Sequence, residues 1–289
     1  MNSDNLPSDR FAAFVAIDWS GAKGSRHKGI AIAEARGTDA PRLIEPGRIW
    51  SRQDVLDWLL DRAKQEPTLF GFDFSFAPPF AARGAYLPGE LNVPADAKAF
   101  WTYVDARSGD EDLGAASFLE LAHRRHFYFG IADGVKADFV HHRACEAAFN
   151  ARGGGKASSV YDAIGAAQVA KASFAGMRLL HRLSGQLPVW PFEEISPGGS
   201  GIVEIYTRVF LKAARTSGRK LRSAEALDAA LASLGSPPAR IEGSLSDHQT
   251  DALIAAAGMR VLAADSAAFS PSGLTPAIAR TEGWTFGVV

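Results

Sequence analysis

Five acidic residues of this sequence stand where their carboxylates could act together. Three lie in or at the end of apolar runs that are typical of buried strands, and two lie four residues apart at the start of a helical pattern. Magnesium and manganese prefer carboxylate oxygens, and two such ions about 4 Å apart can activate water and stabilise the leaving oxygen of a phosphodiester. The sequence therefore predicts a divalent-metal site. The candidate residues are Asp18, Asp73, Glu204, Asp247 and Asp251.

Asp18 and Asp73 are the strongest of these candidates. Asp18 follows four apolar residues, and because side chains alternate along a strand it shares a face with Phe14 and Ala16. Asp73 interrupts the run LFGFDFSF in the same way, near its carboxyl end. A purely structural role is the alternative for both aspartates, but their apolar neighbours disfavour it.

The other polar candidates have stronger structural alternatives. Glu204 lies in a strand predicted over 201–210, and it could pair with an arginine such as Arg208 instead of a metal. Asp247 could serve only as favourable negative charge in the first turn of a helix. His248 stands beside two acids and could pass a proton to a leaving group, although most histidines at a helix start do not.

The elements that must position these residues follow from hydrophobic periodicity. The first half of the chain predicts three strands, a helix and a fourth strand. The helix is expected over 51–65, where Ser51 can cap its first turn. The fourth strand is expected over 68–76, before two prolines. The three earlier strands are predicted over 14–19, 27–35 and 42–50.

A mostly helical insertion at about 80–200 separates this half from the closing strand and helix. Both ends of the insertion join the same predicted sheet, so a subdomain that covers the sheet is favoured over a separate one. The final helix is expected over 246–264, with Ser246 and Gln249 as a capping box. An α/β sandwich is the expected fold class.

Composition indicates a folded, cytoplasmic protein. The 289 residues are 47% hydrophobic and 22% charged, which suffices for one domain over 11–289, with residues 1–10 flexible. The N-terminus lacks the segments of a secretory signal, and no apolar run is long enough to cross a bilayer. A lone cysteine, Cys145, excludes an internal disulfide. The net charge of −1 argues against a protein that coats DNA but permits a local basic groove.

Two basic segments are candidates for contact with phosphates. RTSGRKLR at 215–222 carries four basic residues and is the better candidate for a patch that binds a nucleic-acid backbone, although an ordinary exposed turn has equal weight. Lys156 follows three glycines, as in a phosphate-binding loop. Asn150 and Ala157 stand where that loop needs a glycine and a hydroxyl residue, so the motif is rejected.

Short motifs along most of the chain resemble those of a known family, domain of unknown function 429, which comprises predicted nucleases with a ribonuclease-H-like fold. Each motif is short, but their order makes the likeness fairly specific. The motifs are AIDWSG, GIAIAE, LFGFDFSFAPP, KASSVYDAIG, GMRLLHRL, VEIYTRVF, LSDHQTDALIAA and EGWTFGV.

The resemblance implies a ribonuclease-H-like mixed sheet and a metal-dependent nuclease that uses Mg²⁺ or Mn²⁺, with two ions expected. In nucleases of that fold, the central acids stand on the first strand, on the strand after the first helix and on the final helix. Carried over to this sequence, these acids are Asp18, Asp73 and Asp251, with Asp247 as a neighbour.

The chain departs from that pattern at one position. The first helix supplies a glutamate in the ribonuclease H archetype, whereas here it offers only Asp54 and Asp57. Glu204 is an alternative source of the fourth ligand, so the identity of that ligand stays open.

Two other functional classes stay open as well. The same topology occurs in actin-like ATPases and sugar kinases, where an aspartate and a Gly/Ser turn hold magnesium and nucleotide phosphates, and DWSGAKGS could serve in that way. A kinase needs a duplicated second half, for which residues 100–289 show no second hairpin. A non-catalytic scaffold would not use the acids as ligands. The favoured hypothesis is a nuclease acting on nucleic acid, with DNA or RNA undecided.

Overall fold

The computed structural model describes residues 10–164, 168–216, 220–241 and 243–289. The segment predicted to be flexible lies outside these ranges apart from Arg10. A mixed sheet of five strands forms the centre of the described chain. The strands are β1 (Ala13–Asp18), β2 (Ala31–Arg36), β3 (Arg42–Leu43), β4 (Thr68–Phe72) and β5 (Gly201–Glu204).

The strand order across the sheet is β3-β2-β1-β4-β5. β1 pairs antiparallel with β2, and β2 pairs antiparallel with β3. β1 pairs parallel with β4, and β4 pairs parallel with β5, so three strands end at one edge of the sheet. The prediction of an α/β fold with a mixed sheet is confirmed.

Helices cover both faces of the sheet. α7 packs against β1 and β2, where Gly71 leaves room for Met259, since a Cβ on that glycine would lie 2.6 Å from the methionine sulfur. The described helices are α1 (Arg52–Ala63), α2 (Ala97–Ala106), α3 (Ala144–Ala151), α4 (Val169–Leu183), α5 (Thr207–Ala213), α6 (Ala224–Ser233), α7 (Asp247–Leu262) and α8 (Pro276–Thr281). None of the helices in the described ranges is long and apolar enough to span a membrane.

Both predicted helix starts are confirmed. The Ser51 side chain accepts from the N–H of Asp54 and closes a capping box at the start of α1. The Ser246 side chain accepts from the N–H of Gln249, whose side chain accepts in turn from the N–H of Ser246. These caps fix where α7 begins, and with it the positions of the acids in its first two turns.

The predicted fifth strand over 201–210 is wrong beyond Glu204. The chain turns after β5, and α5 begins at Thr207. Val209 and Phe210 are buried in a cluster that includes residues of α7, and their spacing fits either a strand or a helix. A short apolar run cannot separate the two by pattern alone.

The other strands are shorter than predicted. β2 begins at Ala31 instead of residue 27, β3 covers two residues of the predicted 42–50, and β4 ends at Phe72 instead of residue 76. His27 and Trp50, at the start of the predicted second strand and the end of the predicted third, still pair in an isolated antiparallel bridge. Bends in the loops, which the apolar pattern does not record, break the ladders.

The insertion is less regular than predicted. Within the insertion that the sequence predicts to be mostly helical, the segment 114–130 contains a π-helical turn at Phe118–Ala122 and a 3₁₀ turn at Arg124–His126. Phe100 of α2 and Phe174 of α4 nevertheless join one buried cluster with strand residues such as Phe72. The insertion therefore packs directly on one face of the sheet.

The loop after β1 lies against the insertion. A Cβ on Gly21 would lie 2.2 Å from the backbone of Lys171 and Ala172, in the first turn of α4. The absence of a side chain at Gly21 thus allows α4 to sit directly beside the loop that follows Asp18.

Candidate metal centre

Asp18 and Asp73 lie side by side at the ends of two neighbouring parallel strands. Ile17 is in register with Phe72, and the N–H of Asp73 donates to the carbonyl of Ile17 at 3.1 Å. Because paired strands are about 4.8 Å apart, the two aspartates that follow are neighbours across the sheet. Both side chains line one cavity.

The N-terminal part of α7 adds Asp251 and His248 to the same cavity. The Nδ1 atom of His248 lies 2.5 Å from Oδ2 of Asp18. Asp247 points elsewhere: its side chain is 44% exposed, does not line the cavity, and pairs with Lys220 at 2.9 Å. The structure thus brings Asp18, Asp73 and Asp251 together and leaves Asp247 at the rim.

The cavity has a volume of about 410 Å³. The ends of β1, β4 and β5 form its floor, and the first turns of α5 and α7 flank it. The insertion forms a further wall, which is lined by Ala157, Ser158, Val169, Ala172 and Ser173.

The three aspartates influence one another. Burial, followed by the charge of Asp18, raises the pKa of Asp73 to about 8, against the opposing effect of a 2.9 Å hydrogen bond from Thr207. Burial and the same neighbouring charge raise the pKa of Asp251 to about 6. Burial also raises the pKa of Asp18, although His248 opposes it. All three carboxylates can therefore be ionised together only if a counter-charge is present.

Two basic side chains supply part of that charge. The hydrogen bond to Asp18 raises the pKa of His248, although partial burial opposes it, so the imidazolium is favoured beside the carboxylate. Lys220 lies 3.9 Å from Asp251 and lines the cavity. It belongs to the basic segment predicted at 215–222, of which residues 217–219 lie outside the described ranges.

Glu204 also lines the cavity, but its oxygens are already engaged. Arg143 donates to both of them, at 2.7 and 2.5 Å. The Thr285 hydroxyl donates at 2.7 Å, and the backbone N–H of Phe76 donates at 2.7 Å. The arginine partner is therefore Arg143 from the insertion, not the Arg208 that the sequence suggested. Glu204 is fixed as part of a buried ion pair.

The acids of the first helix stay outside this site. Asp54 closes the capping box of α1 and forms an ion pair with Arg48 at 3.4 Å. Asp57 accepts a hydrogen bond from Gln53 on the exposed side of the same helix. Neither aspartate lines the cavity, so neither supplies the fourth ligand to it.

The cavity offers donor groups suited to a metal ion, but the described side chains are not arranged as a complete coordination site. In the described ranges, no group of three or more His, Cys, Asp or Glu side chains is arranged to hold a metal. The donor chemistry fits a hard cation, since carboxyl groups converge from three elements and raise one another's pKa. An ion would compete with His248 for Asp18 and would favour the ionised form of Asp73.

Sequence reasoning missed two functional contacts at this site. Thr207 binds Asp73, and Arg143 holds Glu204 across 61 positions of the chain. Thr207 was placed in a strand, where its hydroxyl had no evident partner. Arg143 stands between two histidines and a helix and carries no motif that could have revealed it.

Comparison with the models of known protein families, with curated proteins and with solved structures gives no match. The resemblance to domain of unknown function 429 is therefore still a prediction. What the chain can do has to be argued from the geometry of the cavity.

Proposed function

We propose that this chain is a metal-dependent nuclease with a ribonuclease-H-like fold, which hydrolyses a phosphodiester bond in nucleic acid. The observation that carries the proposal is the convergence of Asp18, Asp73 and Asp251, from three separate elements, on one cavity. The element order supports the fold: three strands, a helix, a parallel strand, an insertion, a further parallel strand and a late helix on the sheet.

Asp18, Asp73 and Asp251 are the proposed ligands of Mg²⁺ or Mn²⁺. When bound, one or two ions would supply an activated water and stabilise the leaving oxygen. Their carboxyls are mostly withdrawn from solvent, with 13% of the Asp18 side chain and 17% of the Asp251 side chain exposed. Asp247 and Glu204 are left out of the ligand set because Lys220 and Arg143 already hold them.

His248 is proposed to donate a proton to the leaving oxygen. Its Nδ1 faces Asp18, and no residue in the described ranges forms a hydrogen bond with Nε2, which is the atom proposed to face the substrate. The side chain is 46% exposed, and the raised pKa of the imidazole favours the protonated form that a general acid needs.

The test is a calorimetric titration of manganese into wild type, Asp18→Asn and Asp73→Asn. Binding is expected in wild type and lost in both variants, because each removes a charged ligand. Asp57→Asn, an exposed carboxylate on α1 outside the cavity, is the matched control and should bind like wild type. Hydrolysis of labelled DNA and RNA should fall by at least about a hundredfold in the two site variants.

Two outcomes would contradict the proposal. Equal manganese binding in all four proteins would place the ion elsewhere, and unchanged hydrolysis in Asp18→Asn would remove these carboxylates from the reaction. If wild type binds no manganese, the next titrant is magnesium with ATP, which tests a nucleotide-binding phosphotransferase instead.

A further inference from the structure

Arg208 is an exposed arginine that lines the cavity beside the acids. It lies in the first turn of α5, one residue after Thr207, which binds Asp73. Across the part of the chain that the structure describes, Arg208 forms no hydrogen bond and no ion pair. The other cations at this cavity are engaged, since Arg143 holds Glu204 and Lys220 holds Asp247.

The Arg208 guanidinium lies beside a glycine loop. Gly155 adopts a φ of +109°, and a Cβ there would lie 2.9 Å from Nη1 of Arg208. The next residues of the loop, Ala157 and Ser158, line the cavity with Arg208. A planar guanidinium at the wall of a cavity, with no ion pair to another described residue, is suited to bidentate contact with a phosphate.

The walls of the cavity restrict what can reach the acids. The cavity, with a volume of about 410 Å³, is too small to contain a double helix, whose major groove alone is about 12 Å wide. Asp18 and Asp251 lie below the rim and are mostly covered. A single strand, whose backbone can bend and whose bases can unstack, can bring a phosphate down to them.

We propose that the cavity admits a single polynucleotide strand and excludes a double helix, with Arg208 holding a phosphate next to the one that is cleaved. This inference rests on the proposed nuclease function for its chemistry. The strand contact and the exclusion of duplex are properties of binding, so they can be measured apart from hydrolysis.

The test begins with fluorescence anisotropy of a labelled single strand of about 12 nucleotides and of the same strand in a blunt duplex, with calcium in place of manganese. Wild type should bind the single strand at least about tenfold more tightly than the duplex. Arg208→Gln should weaken strand binding about tenfold, because one charge-assisted contact is lost. It should also lower the slope of log affinity against log salt by about 0.7, the share of one phosphate of a single strand.

Two variants control this measurement. Arg208→Lys keeps the charge and should keep the salt slope while losing part of the affinity, since an ammonium cannot make the bidentate contact. Arg280→Gln removes an exposed arginine of α8 that does not line the cavity, and it should bind like wild type. Unchanged thermal melting of Arg208→Gln would show that the variant is folded.

Hydrolysis of the same two substrates in manganese separates the two proposals. Hydrolysis of the single strand but not of the duplex, with Arg208→Gln impaired, supports both. Strand binding that depends on Arg208 without hydrolysis would reject the nuclease and keep the strand site. Hydrolysis of both substrates at equal rates, or strand affinity unchanged in Arg208→Gln, would overturn the strand inference and leave the nuclease standing. Neither binding nor hydrolysis would overturn both.

Discussion

Asp73 and Glu204 stand at the ends of two neighbouring parallel strands and line the same cavity, yet their surroundings differ. Glu204 receives four hydrogen bonds from Arg143, Thr285 and the backbone of Phe76. The described residues provide one side-chain hydrogen bond to Asp73, from Thr207, and it faces the charge of Asp18. The fold therefore stabilises the carboxylate of Glu204, whereas the surroundings of Asp73 destabilise its ionised form.

The difference shows what separates a structural acid from a candidate ligand. Both are acids in apolar strands, so position alone does not distinguish them. The distinction lies in the partners. A carboxylate whose oxygens are already paired is stabilised little by a bound cation, whereas the ionised form of a carboxylate near like charges is stabilised strongly.

The largest expected effect comes from the same chemical change at both positions. Glu204→Gln should lower the free energy of unfolding by about 3 kcal/mol, because it removes one of the two carboxylates that pair with the buried guanidinium of Arg143. Asp73→Asn should raise it by about 1–2 kcal/mol in metal-free protein at pH 8, because it removes a buried charge that the charge of Asp18 also repels. Urea unfolding of both variants measures the contrast, and a destabilised Asp73→Asn would contradict it.

The pH dependence of stability sharpens the comparison. The pKa of Asp73 is raised from 3.8 to about 8, and that of Asp251 to about 6, so between about pH 4 and pH 8 the folded protein binds more protons than the unfolded chain. Stability of metal-free wild type should therefore fall as the pH rises through this window. The raised pKa of His248 acts in the same direction, because its stabilising proton is lost as the pH rises.

Asp73→Asn should flatten this decline between about pH 6 and pH 8. Unfolding free energies of wild type and Asp73→Asn at a series of pH values test this, and saturating manganese should flatten the wild-type curve as well. A wild-type stability that rises over the same range would show that the carboxyls are not strained.

The smallest expected effect concerns two threonines with matched roles. Thr207→Val removes the donor to Asp73 and should lower the hydrolysis rate by about threefold to tenfold, because the ligand is less well positioned. Thr285→Val removes a donor to Glu204 and should cost about 1 kcal/mol of stability while the hydrolysis rate stays near that of wild type. Steady-state kinetics and urea unfolding of both variants distinguish the two roles. Equal losses of hydrolysis rate in the two variants would contradict the distinction.

The sequence was sufficient for the positions of Asp18 and Asp73, because each breaks an apolar alternation that is otherwise typical of a buried strand. It was also sufficient for the start of α7, where Ser246 and Gln249 form a local capping box. Signals of this kind depend on residues close together along the chain. They can therefore be recognised from the sequence alone, before the fold is known.

The contacts of Glu204 could not be found in that way. Its partner Arg143 lies in the insertion, 61 positions away, and the two meet because the insertion folds back onto the sheet. The helical start at Thr207 was missed because α5 is stabilised by packing on α7, which a short apolar run does not reveal. Long-range packing, not local propensity, decides these details.

Gly21 carries no functional group, yet a genetic screen would class it with the acids. A methyl group there would collide with the backbone of Lys171 and Ala172, and relieving that collision would displace the insertion wall from the loop behind Asp18. Selection for activity would then act on a position that never contacts a substrate. Close packing of the insertion against the loop after β1 therefore restricts which residues this chain can accept, in addition to the restriction that the acids of the cavity impose.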